Sequence, residues 1–246
     1  MRIARIEAWW VRVPIDRKNQ HRSDFGQIAT FDAAIVRVET ECGIVGWGEG
    51  KNAAGSAGDY AALVHLINRE VAPVLIGRDP REPGVIWETL YNGVRHRTAA
   101  RAGHAMPQLA RRGHTLAAIS AIDIALWDIL GKDLGVPVWR LLGGRKADRL
   151  PAYASGGWAG VDTIGEQLSS YVEKGGFRAV KMRVGAIDGP PHVSAARVRA
   201  ARAALGPGID IMVDAHGTFN VGDAKRFAAL IQDQDVAWFE EPVIAD

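Results

Sequence analysis

Charged side chains stand at the ends of three successive predicted strands in the last third of the chain. Lys181 and Arg183 lie two positions apart on the first strand, so their side chains point to the same face. Asp214 ends the second strand, and Glu240 ends the third about one strand-and-helix unit later. Two carboxylates at neighbouring strand ends provide the oxygen ligands that a hard cation such as Mg²⁺ prefers. With the two cations, they predict a site for a metal ion and an acidic substrate.

The two cations suggest a catalytic base. A lysine that is partly desolvated and crowded by a second cation has a lowered pKa, so Lys181 could accept a proton from a substrate. Arg183 keeps its charge, and its expected role is to activate Lys181 or to hold a carboxylate. The structural alternative is that both cations bridge to Asp214 and Glu240. The alternative for the carboxylates is that Asp214 caps the next helix and Glu240 pairs with a lysine.

Two more polar residues follow these strand ends. His216 comes two residues after Asp214 and could act as a general acid toward a leaving hydroxyl. Alternatively, it is hydrogen-bonded in the loop and orients Asp214. Glu241 directly follows Glu240 and is a candidate supporting carboxylate.

The elements that must position these residues alternate between strands and helices. The links are short, which requires parallel strands and right-handed crossovers. The repeat of about one unit per 30 residues is typical of a (β/α) barrel, whose chemistry lies at the strand carboxyl ends. We expect Asp162 to cap the first helix and Gly175–Gly176 to stop it. The predicted strands are Pro151–Ser155, Ala179–Val184, Ile209–Asp214 and Val236–Glu240, and the helices are Thr163–Lys174, His192–Leu205 and Val221–Gln232.

The earlier part of the chain predicts a different architecture. Three strands read as an antiparallel meander, and helices follow them. Two polar or glycine-rich stretches, Asp16–Gln27 and Gly50–Gly58, are either surface loops or lids over a substrate. The basic run Arg95–Arg112 is either an anion-binding patch or a solvated, subunit-contacting segment. The predicted strands are Ile3–Val13, Phe31–Glu39 and Ile44–Glu49, and the helices are Tyr60–Val71, Pro83–Val94 and His114–Leu134.

The helix His114–Leu134 is so apolar that we expect it to be buried on most sides. Gly135 and Pro137 end it. Asp123 and Asp128 interrupt its apolar pattern. They could be catalytic, but we expect them to be buried structural carboxylates that cap or bond a neighbouring backbone.

Composition excludes several functional classes. The formal net charge of +2 gives no strong field that would favour nucleic acid or an anionic membrane. A single cysteine, Cys42, excludes an internal disulfide and favours a reducing compartment. The charged N-terminus lacks the apolar core of a signal peptide, and no apolar run approaches the roughly 20 residues of a membrane span. We therefore expect a cytoplasmic protein with a small-molecule substrate.

Several motifs resemble those of the mandelate racemase/muconate lactonizing enzyme family of the enolase superfamily. Helix residues 117–132 resemble its signature helix, and residues 141–144 (Leu-Leu-Gly-Gly) resemble the motif that follows this helix in the family. Residues 213–216 and 239–242 resemble its metal-ligand strand ends, and 181–183 resemble its Lys-x-Lys base motif. The resemblance implies an α/β fold, in which an N-terminal α+β capping domain (1–112) precedes the first half of a TIM-type (β/α) barrel (113–246).

The resemblance also assigns roles to residues. Asp214 and Glu240 would bind one Mg²⁺, and Lys181 would remove the proton α to a substrate carboxylate to form an enediolate that the metal stabilises. Arg183 in place of lysine and His216 in place of asparagine both favour dehydration of a sugar acid. The alternative is a racemase or epimerase of a 2-hydroxy acid or an amino-acid derivative. The two loops would be specificity lids, with His21, Arg22, Lys51 and Asn52 as candidate substrate-binding residues.

An eight-stranded barrel requires four more strand-and-helix units than these residues supply. Half a barrel would leave two open strand edges. We therefore expect the chain to be the N-terminal portion of a longer enzyme. We also expect a homo-oligomer. The alternative is an inactive half-barrel, or a module that completes its barrel with another chain.

Overall fold

The computed structural model describes residues 1–17, 20–24, 26–51, 58–93 and 112–244, without the side chains of 21–23, 92, 93 and 112. The chain forms two compact units, Met1–Lys146 and Ala147–Asp246. We expected the second domain to begin at residue 113. The long helix that begins at Arg112 instead packs against the sheet of the first unit. The two units therefore divide after Lys146.

The first unit contains the antiparallel meander that the sequence predicted. The three predicted strands form one sheet with the second of them in the centre, and alternate residues such as Ile6 and Ala8 point into the core. The stretch predicted as a loop between the first two contains a short hairpin, in which His21 pairs with Ile28. The strands are β1 (Ile3–Pro14), β2 (His21–Ser23), β3 (Gly26–Ile28), β4 (Thr30–Thr40) and β5 (Val45–Gly50).

The helix predicted at Tyr60–Val71 is longer than expected. It begins as α1 (Ala61–Leu66), widens into a π-helical turn (Ile67–Val71) and continues as α2 (Ala72–Leu75). Pro73 lies within α2. A proline ring clashes with the carbonyl four residues earlier in an α-helix, and a wider π turn directly before it relieves that clash. The next helix, α3 (Pro83–Glu88), also passes into a π-helical turn, at Thr89–Gly93.

The long helix α4 (Arg112–Leu134) lies on β5. Gly46 and Gly48 permit this close approach, because a Cβ at either position would lie within 2.1 Å of a carbonyl oxygen of the helix. The buried face is centred on Ile122, Ala125 and Ile129. The helix is not buried on every side, since Asp123 and Trp127 are half-buried and Leu134 is exposed.

Asp128 on α4 bonds a neighbouring backbone, as predicted. Its Oδ2 accepts hydrogen bonds from the Trp47 amide at 2.9 Å and from Lys132 Nζ at 2.7 Å. At Asp123, burial raises the carboxyl pKa, and a hydrogen bond from the Trp127 side chain opposes that rise. A short helix, α5 (Val138–Leu141), follows.

By length and composition, residues Gly113–Leu134 would also suit a membrane span, the one such helix within the described parts of the chain. The sequence prediction overlooked this. The apolar side chains of Ile122, Leu126 and Ile129 are fully buried in the core of the first unit. A core helix of a globular protein has the same apolar character.

The second unit contains a parallel sheet of four strands that lie side by side in chain order, as the strand-and-helix alternation predicted. Its first strand begins at Ala154 rather than at Pro151. The N-cap position of its first helix is Thr163, whereas we predicted Asp162. The strands are β6 (Ala154–Gly156), β7 (Ala179–Arg183), β8 (Asp210–Asp214) and β9 (Val236–Glu240), and the helices are α6 (Ile164–Gly175), α7 (Pro191–Leu205) and α8 (Val221–Leu230).

The helices cover one side of this sheet and bury its apolar residues. Val180, Met182 and Val213 are fully buried on the strands, and Leu168 and Phe227 pack against the same core from the helices. The parallel pairing brings the carboxyl ends of β7, β8 and β9 to one edge. Arg183, Asp214 and Glu240 therefore stand in register at that edge.

Candidate active site

Lys181 lies between the two predicted metal ligands. Its Nζ is 3.0 Å from Asp214 Oδ2 and 2.8 Å from both carboxylate oxygens of Glu240. The side chains of Lys181 and Asp214 are about nine-tenths buried, while that of Glu240 is 36% exposed. The Trp238 indole also donates to Glu240 Oε2, at 3.1 Å. The structure thus brings together one ammonium and two carboxylates predicted from separate strands.

The protonation of Lys181 differs from our expectation. Burial lowers the pKa of its ammonium, but hydrogen bonds to Glu240 and Asp214, together with their charges, outweigh burial and raise it above the ordinary value. We had predicted a lowered pKa from crowding by Arg183. In this structure Lys181 is a charged partner of the carboxylates, which is also the geometry of the structural alternative.

The arrangement fits a divalent cation, because both carboxylates converge on a point that already holds positive charge. In the described residues, no cluster of three acidic, histidine or cysteine side chains could form a complete metal-binding group. Mg²⁺ commonly retains several waters and binds through one or two carboxylates. Asp214 and Glu240 are the side chains that would hold it.

His216 contacts the same carboxylate. Its backbone amide donates to Asp214 Oδ1 at 3.1 Å, and its Nε2 lies 3.3 Å from Asp214 Oδ2. The backbone of His216 is left-handed, with φ of 48°, which is uncommon for a residue other than glycine. Such conformations persist where surrounding contacts hold them, and they often mark functional sites. Asp214 Oδ2 therefore lies beside both the candidate base and the candidate acid.

Arg183 forms a buried ion pair. Its Nη2 is paired with Asp188 Oδ1 at 2.6 Å, and both side chains are more than nine-tenths buried. Its guanidinium also lies 5.3 Å from the ring centre of Trp158. The carboxylate that Arg183 holds here belongs to the chain itself.

Three residues of this site were missed by the sequence analysis. Trp158 lies just after β6, where its ring stacks on His216 with centroids 5.9 Å apart. Asp188 bridges Arg183 and the buried Arg197. The position of Trp158 after a barrel strand could have identified it, whereas Asp188 and Arg197 had no comparable signal in the sequence.

The strand ends enclose a cavity of about 120 Å³. Its walls mix charge with aromatic surface, which suits a small polar ligand carrying a carboxylate. Its lining includes Lys181, Arg183, Asp214, His216 and Trp158.

The remaining predicted site residues contribute less. Glu241 is exposed, has φ of 41°, and its carbonyl accepts a hydrogen bond from the Gly217 amide. Lys51 lines a groove in the first unit. Asn52 and the side chains of His21 and Arg22 lie outside the described residues, as does most of the basic run Arg95–Arg112.

Comparison with known families agrees with this arrangement. The N-terminal domain model of mandelate racemase and muconate lactonizing enzyme matches residues 5–143, and the enolase C-terminal domain-like model matches residues 163–246. The chain belongs to the mandelate racemase/muconate lactonizing enzyme family. It therefore has the enolase-superfamily fold, with a capping domain followed by strands of a barrel.

Several known proteins resemble the chain along most of its length. A D-galactarolactone cycloisomerase from Agrobacterium fabrum is 37% identical over 87% of the chain and 52% of its own length. A D-galactonate dehydratase from Ralstonia nicotianae is 36% identical over 86% of the chain and 52% of its own. A racemase from Streptomyces coelicolor with bound magnesium superposes with a TM-score of 0.83 at 30% identity, covering 99% of this chain and 63% of that one. The chain thus spans about half the length of the curated relatives it matches.

Proposed function

We propose that these strand ends belong to a Mg²⁺-dependent dehydratase of a sugar acid. The reaction removes the proton α to the carboxylate and expels the hydroxyl from the neighbouring carbon as water. The enol that remains tautomerises to a 2-keto acid. The observation that carries the proposal is the convergence of Lys181, Asp214 and Glu240 at one edge of the parallel sheet, with His216 on the same carboxylate.

Lys181 is the proposed base. Its Nζ would take the α-proton after losing its own, which requires that Asp214 and Glu240 no longer hold it as an ammonium. A cation bound by the two carboxylates would compete with the ammonium for the same oxygens. When bound, Mg²⁺ would supply Lewis-acid stabilisation of the charge that develops on the substrate carboxylate.

His216 is the proposed acid, since its imidazole could donate a proton to the departing hydroxyl. The proton and hydroxyl lost in dehydration stand on adjacent carbon atoms, so the base and the acid must lie close together. Lys181 Nζ and His216 Nε2 both contact Asp214 Oδ2 and so meet this requirement. A racemase has no need of an acid for a leaving hydroxyl, and for this reason we favour dehydration.

The names of the relatives support the substrate class. By their names, one acts on galactarolactone, the lactone of a sugar acid, and one on galactonate, a sugar acid. A structural relative was crystallised with magnesium, which supports the metal.

A panel of sugar acids incubated with the protein and Mg²⁺ tests the proposal. We expect formation of a 2-keto acid from at least one member, detected by semicarbazide derivatisation or NMR. The Asp214→Asn variant should lose Mg²⁺ binding by calorimetry and product formation together. Inversion at the α-carbon without loss of water would instead identify a racemase or epimerase. Unchanged turnover in Asp214→Asn would remove this carboxylate from the site.

A further inference from the structure

Arg197 on helix α7 is a buried clamp that fixes the loop after β6. Its Nε donates to the Ala159 carbonyl at 2.9 Å, and its Nη2 donates to the Gly157 carbonyl at 2.7 Å. These two carbonyls flank Trp158. The Arg197 side chain is only 3% exposed, so these hydrogen bonds form out of water, where geometry is held closely.

Asp188 joins this clamp to the end of β7. Its Oδ2 accepts from Arg197 Nη1 at 2.8 Å and from the Ser194 hydroxyl at 2.5 Å, while its Oδ1 pairs with Arg183. Arg197 Nη1 also donates to the Arg183 carbonyl at 2.7 Å. One carboxylate and one guanidinium therefore lock the β6 loop and the β7 end to each other.

The loop itself is shaped to receive Trp158. Gly157 has φ of +70°, and a Cβ there would lie 2.6 Å from Met182 Cβ, so the loop passes directly over β7. Trp158 then lies against Arg183 on one strand end and stacks on His216 beyond the next. The stack is nearly parallel, with an angle of 21° between the rings.

We propose that Trp158 is a positioning residue that fixes the His216 imidazole, and that Asp188 and Arg197 act through it. The left-handed backbone of His216 needs such support, and Trp158 covers a face of the imidazole whereas Asp214 contacts its Nε2 edge. The effect on the reaction rests on the proposed function. It should be selective, because Lys181 lies on β7 and is held by Glu240 as well as by Asp214.

The first measurement needs no activity. The ring current of Trp158 shifts the NMR signals of the His216 imidazole protons. These signals are assigned by comparing the histidine-labelled full-length protein with its His216→Asn variant. We expect Trp158→Ala to move these signals and Arg197→Lys to move them partly, whereas Trp158→Phe should keep a stacked ring. Unmoved signals in both Trp158→Ala and Arg197→Lys would overturn the proposal.

Arg202 provides a matched control on the same helix. It too bonds several backbone carbonyls, including those of Ile209 and Gln234, which precede β8 and β9 at the other end of the sheet. Arg202→Lys should lower stability but leave the His216 signals in place. An equal displacement in Arg202→Lys and Arg197→Lys would show a general structural effect and contradict positioning by the clamp.

The second measurement compares elimination with α-proton exchange in D₂O, at saturating substrate and Mg²⁺. Loss of positioning should lower the ratio of the elimination rate to the exchange rate at least about tenfold in Trp158→Ala and Arg197→Lys. The reason is that a misplacement of a catalytic group by about 1 Å can lower a reaction rate about 100-fold. Trp158→Phe should retain most of the ratio, and Arg202→Lys should keep all of it. A ratio that is equal in every variant would refute the positioning role. Absence of both reactions in the wild type would refute the proposed function, while the NMR comparison still decides the inference.

Discussion

Removal of the Asp32 carboxylate should destabilise the first unit. This side chain is fully buried on β4 and accepts four hydrogen bonds. Its Oδ1 accepts from the Trp10 indole and the Arg12 guanidinium, both at 2.8 Å. Its Oδ2 accepts from the Thr30 hydroxyl at 2.6 Å and from the Gly58 amide at 3.3 Å. Gly58 ends one of the two predicted lid loops, so the carboxylate also anchors that loop.

The loss of stability in Asp32→Ala follows from the hydrogen-bond donors that lose their acceptor. The Arg12 side chain is 56% exposed and can turn to water. The Thr30 hydroxyl can rotate toward another acceptor. The indole N–H of Trp10 and the amide N–H of Gly58 then lack an acceptor. An unsatisfied buried donor lowers the free energy of unfolding by about 1–3 kcal/mol. Because Trp10 is partly exposed, we expect the free energy of unfolding to fall by about 3 kcal/mol in total. Asp32→Asn keeps one acceptor oxygen and should cost about half as much.

The loss should also depend on pH. Burial raises the pKa of the Asp32 carboxyl, but the hydrogen bonds from the hydroxyl, guanidinium and indole outweigh it and hold the pKa well below 3.8. A carboxyl with a depressed folded-state pKa stabilises the protein above its unfolded-state pKa, and that stability is lost as pH falls. The wild type should therefore lose more stability than Asp32→Asn between about pH 5 and pH 2.

Urea unfolding followed by circular dichroism measures both effects. Asp79 is the matched control, because it too forms an ion pair with an arginine. Its partner is Arg81, two residues along the chain. Both side chains of that pair are about a third or more exposed, and exposed pairs contribute about 0–1 kcal/mol. Asp79→Asn should therefore change little. Equal losses in Asp32→Asn and Asp79→Asn, or a pH dependence that Asp32→Asn leaves intact, would refute the reasoning.

Three other substitutions give separate tests. Gly157→Ala should destabilise the second unit by about 2–3 kcal/mol in urea unfolding, because of its positive φ and the clash with Met182; a neutral result would contradict the packing of this loop. Asp128→Ala should cost about 1 kcal/mol, since the Trp47 amide loses its acceptor; the same unfolding assay checks it. His216→Asn should lower 2-keto acid formation about 100-fold or more while α-proton exchange continues; equal losses of both would remove His216 as the acid.

The sequence predicted those features that depend on local pattern. The alternation of strands and helices from residue 151 onward is set by periodicity and glycine or proline stops, and all four parallel strands form. The shared face of Lys181 and Arg183 follows from the two-residue period of a strand. The convergence of Asp214 and Glu240 follows from the parallel pairing of β8 and β9.

What the sequence did not predict depends on contacts between distant elements. The partner of Arg183 is Asp188, because a 3₁₀ turn at Ala186–Asp188 folds that carboxylate back over the strand. No spacing rule predicts such a turn. The close approach of α4 to β5 was not predicted for a similar reason, because it depends on Gly46 and Gly48 on a separate strand.

The same argument applies to Lys181. Its neighbour in sequence is a cation, and this suggested a lowered pKa. Its neighbours in space are two carboxylates, which raise the pKa instead. Charge in the sequence therefore predicted the location of the site but not the protonation state of its base.

Exchange of the substrate α-proton with D₂O tests the central claim most directly. With Mg²⁺ and a sugar acid that the panel identifies, the wild type should exchange this proton, as followed by loss of its NMR signal. Lys181→Ala should abolish the exchange while retaining a folded circular dichroism spectrum and Mg²⁺ binding. Exchange at the wild-type rate in Lys181→Ala would contradict the assignment of Lys181 as the base and, with it, the proposed reaction at these strand ends.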